Sequence, residues 1–96
     1  MLNVEFTGDV FEWRGPAPFH FVRVPDDIAQ EITILAPTLT YGWGVIPAEV
    51  RIGTTTVTTS LFPKDGGYLV PLKDALRKPE GVALGDTVSL ELRLGR

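Results

Sequence analysis

The sequence predicts a mainly β domain, a small closed barrel of six strands with two short helices. Three observations point there. Apolar residues alternate with polar ones at Ile46, Ala48, Val50 and Ile52 and again at Val88, Leu90, Leu92 and Leu94, the period of a half-buried strand. Gly- and Pro-containing turns divide the chain into short pieces, and only two windows carry helix start and stop signals. Six short strands leave edges that would pair with other molecules unless covered or closed. A barrel with a helix plugging one end removes those edges, whereas a two-sheet sandwich gives the helices no natural place.

Each element follows from its residues. Val4 and Phe6, with Leu2, alternate with Asn3, Glu5 and Thr7, predicting a first strand that turns near Gly8-Asp9 and is continued across the turn by Phe11 and Trp13. Gly15-Pro16 and Pro18 interrupt the chain before a second strand, Phe19 to Val24, rich in aromatic and β-branched residues. Pro25-Asp26-Asp27 opens a helix: Asp27 is placed as N-cap with Gln30 three residues on, and Ile28, Ile32 and Leu35 follow at helical spacing. The end is expected near Leu35, bounded by Pro37. After the loop Tyr41-Gly42-Trp43-Gly44 comes the strand Val45 to Ile52, a Gly53-Thr54 turn, and a Thr-rich strand from Thr55 to Phe62. Pro63 to Gly67 turns the chain into a strand at Tyr68 to Val70. Pro71 fits the first position of a second helix, where its missing N–H has no partner to lose. Pro79 and Gly81 end that helix, Gly85-Asp86 makes a turn, and Thr87 to Leu94 closes the domain with a strand.

Composition bounds what the protein can be. Ninety-six residues at 44% hydrophobic and 22% charged form one ordinary folded domain with a single modest core. Without cysteine there is neither a disulfide framework nor a thiolate metal site, which fits a reducing cytoplasm. Glu5 and Asp9 interrupt any secretory leader, and no apolar run approaches the length of a membrane span. Net charge is −3, with the acidic excess in the first half, where Arg14 and Arg23 face Glu5, Asp9, Glu12, Asp26, Asp27 and Glu31. Nucleic-acid binding rests on a basic surface, and this balance argues against it.

From Trp43 onward the runs VRIGTTTVTTSLFP, GGYLVPLKDALRK and GDTVSLEL occur in order. With this spacing the chain resembles the bacterial family of domains of unknown function numbered 1905 (DUF1905). The resemblance implies a small closed β-barrel with short helices and supplies no catalytic residues. A looser resemblance runs from Tyr68 to Leu92, where Pro, Leu, Arg, Gly-Asp and an alternating strand look like the swapped-hairpin domains of AbrB-type regulators. That likeness implies a folding device, since those regulators are shorter and basic.

No catalytic constellation stands out. His20, the only histidine, has no second ligand beside it and reads as a structural residue of a strand. Asp26 and Asp27 read as cap and dipole partners of the helix start. Ser60 lacks a nucleophile elbow and a base, and neither glycine-containing loop matches a phosphate loop. No cofactor or metal is implied. Tyr41 and Trp43, aromatic residues in a Gly-flanked loop, are the candidate contacts for a ligand or partner, with Arg51 and Arg77 as nearby cations. The expected function is a cytoplasmic binding or interaction module without catalysis, its partner a protein or small molecule, with no membrane involved. Two other classes stay open: an AbrB-like nucleic-acid binder using the cations of the second half, and a small enzyme whose carboxylates only the fold brings together.

Overall fold

The computed structural model describes residues 2–14, 18–39 and 46–95. Seven strands and two helices follow in the order β1 (Leu2–Asp9), β2 (Phe11–Arg14), β3 (Pro18–Arg23), α1 (Asp26–Leu39), β4 (Ile46–Ile52), β5 (Thr55–Lys64), β6 (Gly67–Leu72), α2 (Asp74–Glu80) and β7 (Thr87–Leu94). The strands form one antiparallel sheet in the order β1-β7-β4-β5-β6-β3-β2. It is mainly β as expected, but the sheet is an open half-barrel of seven strands, not a closed barrel of six.

The seventh strand arises at Val10. The Val10 N–H donates to the Asp86 carbonyl and its own carbonyl accepts from Gly85 N–H, at 2.8 and 2.9 Å. This pins the chain between two ladders. Before Val10, β1 pairs with β7; after it, β2 pairs with β3 at the other end of the sheet. What reads as one long strand is therefore two, and they form the two ends of the sheet. These end strands bond to β7 and β3, not to each other, so the sheet stays open.

Alternation sets the inner face. Ile46, Ala48, Val50 and Ile52 of β4 and Val88, Leu90, Leu92 and Leu94 of β7 are all buried, as their spacing predicts. Leu61, Tyr68, Val70 and Leu72 join them from β5 and β6, and α1 lays Ala29 and Ile32 on the same core. Each fully buried Leu or Ile contributes about 1.5–3 kcal/mol of transfer free energy.

Both helices depart from their predicted bounds. The first runs through Pro37 to Leu39. Pro37 lacks the N–H that would donate to the Thr33 carbonyl, a loss of one ladder bond near the end of the helix. At the other end, Ala29 N–H donates to the Pro25 carbonyl at 2.8 Å, so the helix is entered ahead of Asp27. Pro71 belongs to β6, opposite Phe21, rather than to the helix. The β5 ladder ends at Leu69, so at Pro71 the strand has a partner on one side only, where a residue without N–H is tolerated.

The end of α2 is as predicted. Gly81 has φ 65°, its N–H donates to the Lys78 carbonyl, and Val82 N–H donates to that of Arg77. These are the two bonds of a Schellman motif. A Cβ at Gly81 meets no atom within 4 Å, so only the left-handed backbone opposes substitution. Gly81→Ala is therefore expected to cost about 1 kcal/mol, measured as a lowered urea midpoint with unchanged slope. Among the described residues, no helix is long and apolar enough to cross a membrane.

Candidate functional site

The outer face of the sheet has two unlike halves. On β1, β7, β4 and the start of β5 it carries Glu5, Glu91, Arg51, Arg93, Glu49 and Thr56, set side by side by the strand register. Arg51 Nε lies 2.8 Å from Glu91 Oε1 and Arg93 Nη1 lies 3.6 Å from Glu49 Oε1. Exposed pairs of this kind contribute little and describe an ordinary solvated surface.

On β2, β3, β6 and the end of β5 the same face is aromatic. Residues two apart on a strand share a face, which puts Phe11 and Trp13 of β2 beside Phe19 and Phe21 of β3, with Phe62 of β5 completing the group. Phe21 is the hub, its ring centroid 6.1 Å from Phe11, 5.9 Å from Trp13, 6.3 Å from Phe19 and 5.2 Å from Phe62. Trp13 and Phe62 are 5.9 Å apart. These tilted and edge-on arrangements suit the ring quadrupoles.

Phe21 is only 2% exposed, yet it stands outside the inner core, to which the same stretch contributes Val22 and Val24. Leu69 is likewise buried outside that core, so β6 is covered on both faces. The cluster is thus a small second core built on the outside of the sheet. Its rim is open: Phe11, Trp13 and Phe19 are 37%, 39% and 56% exposed. Half-exposed rings around a desolvated centre form the kind of surface on which aromatic anchors bind partners.

Two cations border the rings. Lys64 Nζ lies 4.4 Å from the Trp13 ring centroid, within cation–π range. The Arg23 guanidinium donates to the Lys64 and Asp65 carbonyls at 3.2 and 3.3 Å, bonds that hold the side chain without neutralising it. Space for it comes from Gly67, where a Cβ would stand 2.5 Å from Arg23 Nη2. The two-residue Asp65-Gly66 turn brings Lys64 and Gly67 into register across the hairpin. Lastly, β2 bonds to β3 alone among the described strands and stands at one end of the sheet, beside the rings.

Those of the residues singled out from sequence that the structure describes lie elsewhere. Tyr41 and Trp43 fall outside the described residues. Arg51 is held by Glu91 and by the Gly53 carbonyl, on the polar half of the outer face. It lines a shallow depression with Glu49, Thr56, Glu91 and Arg93, a group that does not include Arg77. Arg77 sits on α2 and bonds to Asp74, while its buried Nε makes no hydrogen bond among the described residues. His20 stands between Glu12 and Leu72 on neighbouring strands, Asp26 and Asp27 form the first turn of α1, and Ser60 lies exposed opposite Pro47. Among the described residues, no three His, Asp or Glu side chains are grouped as metal ligands.

Sequence reasoning passed over the aromatic face because each ring, taken alone, suits a strand. A signal was available. Phe19 and Phe21 alternate with His20 and Val22, so that strand is apolar on both sides, and the solvent side of a single-layer sheet has no need of large rings.

The family model described as a domain of unknown function, DUF1905, matches residues 6–92. No curated protein matches the chain.

Proposed function

The chain belongs to the DUF1905 family, a family without an assigned function, and from the geometry of the site we propose that it is a binding module that contacts its partner through the aromatic face of β2 and β3. The observation that carries this reading is the exposure of Phe11, Trp13 and Phe19 around the buried hub Phe21, on the solvent side of the sheet. Rings that served folding alone would be covered as Phe21 is. In this reading the protein works by contact, without catalysis. The loop of Tyr41 and Trp43 is a second proposed contact, together with Arg51 and Arg77.

The test compares proteins captured from a lysate of the source cells by the immobilised wild-type chain and by the double variant Trp13→Ser/Phe19→Ser. Circular dichroism checks that the fold is kept. Both side chains are more than a third exposed, so the variant is expected to fold and to lose its captured proteins. Recovery of the same proteins by the folded variant would overturn the reading. Trp43→Ala in the same assay tests the loop.

A further inference from the structure

We infer that two copies of this chain pair through the outer edge of β1, antiparallel about a two-fold axis, with Val4 of one copy opposite Val4 of the other. The inference does not depend on the aromatic face, which lies toward the other end of the sheet and would be presented twice by the pair.

The backbone points to a missing neighbour. β1 is an end strand of 8 residues that bonds to β7 alone among the described strands. Its ladder with β7 is continued by the bond from Val10 N–H to the Asp86 carbonyl. Because the bonding side alternates along an antiparallel strand, Leu2, Val4, Phe6 and Gly8 then turn their backbone groups to β7, while Asn3, Glu5 and Thr7 turn theirs outward. No described residue bonds to those outward groups. Edge strands are commonly blunted by proline, lysine, a bulge or short length. β1 has neither proline nor lysine and pairs with β7 residue for residue from Leu2 to Asp9.

Side chains select the occupant. Leu2, Val4 and Phe6 pack against the inner core but are only half-buried, whereas Leu94, Leu92 and Leu90, their partners on β7, are buried. The core is thus open along β1, and an added strand closes it by setting apolar residues at alternate positions in the same row. β1 itself has this pattern. A two-fold pairing keeps both inner faces on one side of the sheet and closes after two copies. The residues then fix the register. A pair centred on Glu5 would set Glu5 against Glu5 of the second copy, a like-charge contact. One centred on Phe6 would set Val4 against Gly8, whose inner side Val22 already fills, since a Cβ at Gly8 would stand 2.5 Å from Val22 Cγ1. Centring on Val4 sets Leu2 against Phe6 on the inner face and Asn3 against Glu5 on the outer, where the Asn3 amide can donate to the carboxylate.

The experiment follows the mass of the full chain by sedimentation equilibrium over a concentration series, with circular dichroism to check the fold of each variant. The wild-type chain is expected to reach twice the 10.5 kDa of one copy. Glu5→Pro removes an outward N–H and none that serves β7, so it is expected to fold and to stay monomeric. Asn3 gives the sharper readout, because within one chain it stands opposite Arg93 and across the pair opposite Glu5. Asn3→Glu is expected to weaken the dimer about tenfold and Asn3→Lys to tighten it. On the stability of the single chain the two substitutions act in the reverse sense, so a merely structural role for Asn3 would not give this order. A single-chain mass at every concentration up to about 1 mM overturns the inference. So does a dimer that survives in folded Glu5→Pro, that is lost in Trp13→Ser/Phe19→Ser, or that responds alike to both substitutions at Asn3.

Discussion

Phe21→Ala is expected to lower stability by about 3–5 kcal/mol, the cost of emptying a site filled by a fully buried ring. A domain of this size has about 5–15 kcal/mol to lose, so the variant would be marginal, and urea denaturation followed by Trp fluorescence would show it. The effect is large because Phe21 is the one ring that touches the other four. Removing it leaves Phe11, Trp13, Phe19 and Phe62 around a void, and the arrangement proposed for binding goes with it. Phe19→Ala serves as the contrast. Phe19 is 56% exposed and borders the cluster, so its loss is expected to cost about 1 kcal/mol or less. Equal losses for Phe19 and Phe21 would contradict the picture of a hub with an open rim.

Leu92→Ala is expected to cost about 2–5 kcal/mol by the same mechanism on the opposite face. Leu92 is fully buried in β7, between Val4 of β1 and Val50 of β4, at the centre of the ladder that carries the inner core. The sharper test lies in the pair. Phe21 and Leu92 belong to separate apolar clusters on opposite faces of the sheet. Their losses should therefore add within about 0.5 kcal/mol, measured on a background stabilised by an osmolyte such as trimethylamine oxide so that the double variant stays folded. A coupling above 1 kcal/mol would mean that the outer rings are an extension of the inner core.

The inner face was legible in the sequence for a definite reason. In β4 and β7 a single apolar side alternates with a polar one, and only one orientation buries Val50 and Leu92 together. Local chemistry likewise gave the Gly81 helix end, which depends on a few adjacent residues and one backbone conformation. Pro71 shows the limit of such reasoning. A proline suits a helix start or a strand with one free side equally well, and only the departure of β5 after Leu69 decided between them. Pro37 is similar: it lies within α1, whose inward residues Ala29 and Ile32 pack on the core and so supply the packing that overrides the local signal.

Of the proposed binding surface, the sequence showed the residue types and not their meeting. Arg51 and Arg77 are cations whose near neighbours only the fold supplies: the register sets Arg51 beside Glu91, and the helix sets Arg77 beside Asp74. Phe21 and Phe62 are far apart in the chain and come within 5.2 Å only because β6 separates β3 from β5 in the sheet.

By itself, then, the amino-acid order determined a mainly β chain with two short helices and the inward residues of its regular strands, because those features rest on the two-residue period of a strand and on local turn and capping chemistry. The tertiary structure decided where the chain changes ladders at Val10, that the sheet remains open, and which side of β3 faces solvent. These depend on hydrogen bonds and packing between distant segments, such as Val10 with Asp86, and no local pattern encodes such a pairing. The aromatic face is a product of that second kind of information, and the function proposed for the protein rests on it.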